Sequence, residues 1–159
     1  MSSELPFVGY GTFIYKLKKY KPHIEVLGVC RVQNYVRIYH KKLAYWYPFV
    51  LFRKNHEFKG LLFKVLASNF LYELDRYEGV PELYERVKCE VKFNSQIMKC
   101  WIYVPSIPTI NKIQKEIKKF NSIEKEEIFR RDLWLEYLKS KYPRIIKEYP
   151  KLFTPIEKQ

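Results

Sequence analysis

Residues 84–104 read Tyr-Glu-Arg-Val-Lys-Cys-Glu-Val-Lys-Phe-Asn-Ser-Gln-Ile-Met-Lys-Cys-Trp-Ile-Tyr-Val, and their alternation decides the fold. Val87, Cys89, Val91 and Phe93 fall on one face of a strand, with Lys88, Glu90 and Lys92 on the other. Met98, Cys100, Ile102 and Val104 alternate in the same way. A two-residue loop at Asn94-Ser95 pairs 93 with 96, 91 with 98, 89 with 100 and 87 with 102, which puts both apolar sets on one face. A slip of one residue would undo this. Asn-Ser is a weaker hairpin loop than Asn-Gly, yet the register is self-consistent.

Outward from this hairpin, the preceding chain is rich in β-branched and aromatic residues. Leu5 to Tyr10 reads as a first strand, and Ile24 to Tyr39 as a strand pair or one bent strand punctuated by Gly28 and Asn34. Ala44 to Arg53 and Gly60 to Leu66 read as two strands separated by the polar Lys54-Asn55-His56-Glu57. After Ser68, Phe70, Leu71, Leu74 and Tyr77 mark one face of a helix about two turns long. Gly79 is its natural stop, and Pro81 prevents resumption. Beyond Pro105, Lys and Glu at helical spacing take over. Ile113, Ile117 and Phe120 predict one helix; Ile123, Ile128, Leu135 and Leu138 predict a longer one. Pro143 and Pro150 bracket a last short turn.

The chain has 159 residues, enough for one domain with a real core. Hydrophobic content of 47% excludes a disordered chain. The longest apolar run, Leu43 to Phe52, is interrupted by Pro48 and falls short of the ~18–20 residues a membrane span needs. Met1 to Pro6 lacks a basic region followed by an apolar stretch, so a cytoplasmic protein is expected. Thirty Lys and Arg against 17 Asp and Glu give a formal charge of +13. Abundant Lys, Ile and Tyr with few alanines read as the codon bias of an AT-rich genome, such as that of a thermophile or one of its viruses. The surplus is concentrated between residues 14 and 59, around Tyr15-Lys16-Leu17-Lys18-Lys19-Tyr20-Lys21 and Lys41-Lys42. Alternating Tyr and Lys is suited to stacking bases and neutralising phosphates. A solvated loop with tyrosine anchors is the favoured account.

Cys30, Cys89 and Cys100 lack the C-x-x-C spacing of a zinc or redox site. The register sets Cys89 opposite Cys100, and two reduced core thiols are expected there. His23, His40 and His56 have no metal-ligand spacing, and no Gly-rich phosphate loop or G-x-S-x-G occurs. Neither metal nor cofactor is expected.

Two places carry chemistry. At Val8-Gly9-Tyr10-Gly11-Thr12-Phe13, glycines around a strand end allow consecutive N–H groups to form an anion-binding nest, although such turns are common. At Leu74-Asp75-Arg76-Tyr77-Glu78-Gly79, Glu78 occupies the last turn of a helix, where the macrodipole disfavours an anion by roughly 0.3–1 kcal/mol. An exposed glutamate at a frayed end is the simpler account of that position. A carboxylate held there with partial burial would have a raised pKa and be a candidate general base.

The order of these segments, Tyr10-Gly11-Thr12, then Leu74-Asp75-Arg76-Tyr77-Glu78-Gly79, then Tyr84-Glu85-Arg86, resembles the gamma-glutamylcyclotransferase-like family over roughly residues 6–104. The resemblance implies an α+β fold: a small mixed, barrel-like curled β-sheet with flanking helices. Residues 1–105 would form this core, with 106–159 a helical C-terminal extension packed on the same domain. It also implies cyclisation of a γ-glutamyl amide to 5-oxoproline with release of an amine. Glu78 matches the catalytic glutamate, the Tyr10, Gly11, Thr12 and Phe13 segment matches the loop whose amides hold the glutamyl carboxylate, and Tyr84 matches a tyrosine near the site. The implied partner is a small γ-glutamyl substrate. Phe13-Ile14-Tyr15-Lys16 departs from the Leu and Lys-x-Gly that many members carry, so the amine side is expected to differ from glutathione-like substrates. The competing reading is a non-catalytic binding or viral accessory protein that uses the basic Tyr/Lys surface of the same fold.

Overall fold

The computed structural model describes residues 5–43, 47–78 and 82–156, apart from the side chain of Lys18. Five strands, β1 (Phe7–Gly9), β2 (Ile24–Ile38), β3 (Phe49–Val65), β4 (Tyr84–Phe93) and β5 (Gln96–Pro105), form a closed barrel in the order β1-β3-β2-β4-β5. The predicted α+β architecture is the observed one. The β4–β5 register is the predicted one at every pair, including Cys89 opposite Cys100 and Phe93 opposite Gln96. Asn94 and Ser95 both have positive φ, 50° and 66°, the backbone of a two-residue I′ turn that follows the twist of the strands.

Ile24–Ile38 is one bent strand, with its ladder to β3 shifting between Val26 and Gly28 and again between Gln33 and Tyr35. At the second shift Asn34 faces the polar Arg53–His56, and the Asn34 side chain accepts from the Asn55 amide at 3.1 Å. The two strands expected on either side of Lys54–Glu57 are therefore one long strand, β3. The polar stretch is a bulge that lets the strand bend without ending. Ala44, the expected start of the earlier strand, lies outside the described residues, as do Gly79 and Pro81. The first strand is shorter than expected, because Tyr10 leaves the ladder and its carbonyl accepts from a side chain, Arg37.

Alternation sorts the strands' apolar residues into two layers. Val8, Val32, Leu62, Val91, Cys100 and Ile102 are among the residues that fill the barrel, with contributions from all five strands. The three cysteines are buried, free thiols, and Cys89 and Cys100 lie 3.4 Å apart at sulfur. The opposite faces pack under helices through Ile38, Phe49, Leu61, Ile113, Trp134 and Leu138. β1 comes close to β3 because Gly60 has no side chain: a Cβ there would lie 3.0 Å from Val8 and 3.1 Å from the Gly9 carbonyl.

Helix α1 (Phe13–Lys16) runs into a 3-10 segment, Leu17–His23, where a solvated loop was expected. Its aromatic rings hold it down: Tyr15 stacks on Tyr142 at 4.3 Å and Tyr20 on Phe13 at 5.2 Å. α2 spans Phe70–Glu78 and α3 Ile107–Lys118. The single longer helix expected through Ile123 and Leu138 is two, α4 (Ser122–Arg130) and α5 (Leu133–Lys141). Arg131 is extended, and the Asp132 carboxylate caps α5 by accepting from the Leu135 amide at 3.2 Å. Ile123 is consequently 74% exposed instead of facing the core. α6 (Arg144–Glu148) occupies the turn between Pro143 and Pro150. Among the described residues, no helix is long and apolar enough to cross a membrane.

Trp134 sits 1% exposed in α5, its ring against Tyr39 and Tyr137, and its indole N–H has no partner among the described residues. A buried donor left unsatisfied costs about 1–3 kcal/mol, whereas truncating a buried aromatic costs ~3–5 kcal/mol. Trp134→Phe removes the donor and keeps most of the packing. Urea melts are expected to place Trp134→Phe within about 1 kcal/mol of the parent, with Trp134→Ala several-fold more damaging.

Candidate active site

The last turn of α2 holds four segments together. Leu74 is buried in the core. The Asp75 carboxylate accepts from the Tyr103 hydroxyl at 2.6 Å and pairs with Arg86 at 3.4 Å. The Tyr77 hydroxyl lies 2.6 Å from the Thr12 hydroxyl and accepts from the Lys16 ammonium at 2.9 Å. This explains the spacing of the segment Leu-Asp-Arg-Tyr-Glu-Gly: on a helix, positions 74, 75, 77 and 78 point to the core, to β4 and β5, to α1, and into the space between them. The Tyr-x-Arg segment supplies Arg86, the cation opposite Asp75.

That space is a cavity of about 40 Å³. All six residues singled out in the sequence line it: Tyr10, Gly11, Thr12 and Phe13 at the end of β1, Glu78 at the end of α2, and Tyr84 at the start of β4. Tyr47, Pro48 and Tyr103, which are not among those six, also line it. Tyr103 had a legible signal, because strict alternation on β5 turns it away from the barrel interior while it remains buried. Tyr47 and Pro48 lie in the connection between β2 and β3, because the strand expected from Ala44 begins only at Phe49.

Burial pushes the Glu78 carboxyl up to about 7, and the nearby Lys16 ammonium pulls it back only in part. Its place at the helix C-terminus acts in the same upward direction. The simpler account, an exposed carboxylate at a frayed end, does not describe this residue, which is partly buried with a desolvated carboxyl. The Tyr10 hydroxyl is raised well above its ordinary value, first by burial and then by Tyr84 and Glu78, and donates to the Tyr103 carbonyl at 2.6 Å. Tyr103 is raised by burial and by its bond to Asp75. Both phenols are therefore neutral near pH 7, and Glu78 is the group at the cavity whose proton is in balance there.

Opposite Glu78, the chain turns from β1 into α1. The Gly11 and Thr12 carbonyls accept from Ile14 and Tyr15 at 3.1 and 3.3 Å. The leading N–H groups of such a turn have no partner within it. A carboxyl that titrates near neutrality thus shares a cavity with a turn of amide donors. This is an arrangement for proton transfer beside an anion or a polarised carbonyl.

The histidines stand apart from this cavity. His23 stacks on Phe70 at 5.0 Å, and His40 is buried with its Nδ1 accepting from the Lys42 amide at 3.1 Å.

Comparison with known families assigns this closed barrel and its cavity to a class. Residues 7–130 match the family described as gamma-glutamyl cyclotransferase, AIG2-like, and the chain belongs to that family. The match runs past residue 105, where the motifs legible in the sequence end. Among solved structures, a protein of Arabidopsis thaliana is similar at 19% identity and a TM-score of 0.58 over 98% of each chain, helical C-terminal part included. A gamma-glutamyl cyclotransferase matches at 14% identity and a TM-score of 0.54, over 87% of this chain and 99% of that one. An uncharacterized human protein matches at 16% identity and a TM-score of 0.54, over 80% and 88%. At these identities the likeness is one of fold. No curated protein matches the chain in sequence.

Proposed function

We propose that the protein converts a γ-glutamyl amine or amide to 5-oxoproline and a free amine, with Glu78 as general acid and base. Family and fold support a cyclotransferase-type activity in general. The observation that carries the specific reading is the Glu78 carboxyl, held near neutrality in the same cavity as the Gly11–Phe13 turn. The substrate's α-ammonium gives a proton to the Glu78 carboxylate, and the freed nitrogen attacks the γ-carbonyl carbon. The ring C–N bond forms and the ring nitrogen sheds its second proton to water; the γ-amide C–N bond then breaks as Glu78 returns its proton to the departing nitrogen, which leaves as the free amine. Nothing is oxidised or reduced, and because both reacting groups belong to one molecule, holding them in register supplies much of the acceleration. Glu78 and the Gly11–Phe13 turn line one cavity, and the amino-acid end of such a substrate would lie between them.

Part of the basic tract is engaged within the fold. Tyr15 and Tyr20 are spent on ring stacking within the chain, and Lys42 is paired with Glu124. Turnover decides between the readings. A panel of γ-glutamyl amines and amides is assayed for 5-oxoproline release with the parent, Glu78→Gln and Glu78→Ala. Release by the parent and its loss in both variants is expected; equal release by all three overturns the assignment.

A further inference from the structure

Arg37, on β2, is 3% exposed and buries a full positive charge, yet it does not line the cavity. Its guanidinium uses each nitrogen. One terminal nitrogen donates to the Tyr10 carbonyl at 2.9 Å. The other, with Nε, grips both oxygens of Asp132 at 2.6 and 3.2 Å. Its Cζ lies over the Phe58 ring, 4.7 Å from the ring centre. Asp132 is the cap of α5, so the C-terminal helices are tied through one guanidinium to the chain just before the proposed donor turn.

The atom Arg37 holds belongs to the same peptide plane as a group at the site. The Tyr10 carbonyl and the Gly11 N–H are two ends of one rigid unit, and in a trans peptide they point in opposite directions. A cation on the carbonyl therefore fixes where the N–H points. It also draws electron density toward the oxygen and strengthens the N–H as a donor. Lysine offers no substitute, because a single ammonium lacks the planar fork needed to serve two acceptors on different elements.

We propose that Arg37, braced by Asp132, is a positioning residue that orients and polarises the Gly11 N–H to receive the carboxylate of the γ-glutamyl substrate. This rests on the reaction proposed above for its ligand, but the orientation of the Gly11 amide is a property of the protein alone. The two are therefore tested on separate signals.

The full-length protein is labelled with ¹⁵N, and the Gly11 amide is followed in the parent, Asp132→Asn, Arg37→Lys and Glu78→Gln. Asparagine caps a helix as well as aspartate does, so Asp132→Asn removes the charge with α5 in place. If Arg37→Lys does not fold, Asp132→Asn decides. The Gly11 amide is expected to move upfield in Asp132→Asn and further in Arg37→Lys, with the Gly28 amide, toward the other end of β2 from Arg37, unmoved as the control. Titration with 5-oxoproline is expected to show affinity reduced about tenfold in Asp132→Asn, and turnover a matching rise in KM with kcat within about twofold. The pH midpoint of kcat/KM stays in place, because Glu78 is untouched. A Gly11 amide that does not move in either variant overturns the positioning role, as does unchanged 5-oxoproline affinity with the amide moved. Full turnover by Glu78→Gln overturns the acid–base assignment instead, and leaves an effect of Arg37 on Gly11 standing.

Discussion

Glu78→Gln is expected to lower 5-oxoproline release by about 10²–10⁴-fold, the usual contribution of a positioned acid–base group, and at the same time to stabilise the protein above neutral pH. Glutamine keeps the shape of the side chain and gives up the proton that the reaction moves. The stability gain has a separate origin. The folded carboxyl titrates at about 7 against an ordinary 4.5, so the native state binds this proton more tightly than the unfolded chain does. The group's contribution to stability is therefore most favourable below about pH 4.5 and falls as pH rises through about 7. The loss corresponds to roughly 1–3 kcal/mol, given the residue's partial exposure. Parent and variant are expected to melt together near pH 4, with the variant more stable by that amount at pH 8. The parent's kcat/KM is expected to rise through about pH 7 as the carboxylate becomes available to take a proton. Thermal melts and rate profiles across pH 4–9 read both effects. Coincident melting curves at every pH would mean that Glu78 is solvated.

The second large effect lies inside the barrel. β2 and β4 meet through two pairs alone, Arg31 with Lys92 and Val32 with Val91, and Val32 is 0% exposed inside the barrel. Val32→Asp places a carboxylate among valine, cysteine and isoleucine side chains at this narrow seam. Burying an unpaired charge costs several kcal/mol or forces the group to stay protonated, against ~5–15 kcal/mol for a whole domain. The variant is expected to be largely unfolded at pH 7 and to recover structure near pH 4, where the aspartate is neutral. Val32→Ala, which leaves only a small void, is expected to remain folded with a loss of about 2–3 kcal/mol. Circular dichroism in urea at the two pH values measures this, and a folded Val32→Asp at pH 7 would show that the seam admits water.

The parts of this fold legible in the sequence are those where a local rule and the tertiary structure agree. The β4–β5 register follows from alternation because both apolar sets bury on one face, and α2 follows from Phe70 and Leu74 at helical spacing. The long β3 was not legible. Lys54–His56 has the composition of a loop, and only the partner Asn34, distant in sequence, turns it into a bulge within a continuing strand. The break between α4 and α5 was hidden for a similar reason: Asp132 caps α5 while its carboxylate is held by Arg37, a partner distant in sequence. At the site, the types and spacing of residues brought out Glu78 and the Tyr10–Phe13 turn. The role of the Asp75 carboxylate was not legible, because it depends on Arg86 and Tyr103 arriving from other strands.

The ring of strands is completed by β1, whose meeting with β5 is a parallel pairing of Phe7 with Trp101, beside the bond from the Trp101 amide to the Pro6 carbonyl. These partners lie at opposite ends of the β-rich half of the chain, so joining them confines everything between and carries a large share of the entropy of loop closure. The two hairpins, by contrast, are built from neighbours. Assembly is therefore expected to finish with β1 snapping in like a clasp, and the Tyr10–Phe13 turn arrives with it. An immature chain with both hairpins in place would carry its carboxylate but no chamber around it, so the cavity is completed in one step, at the end of folding.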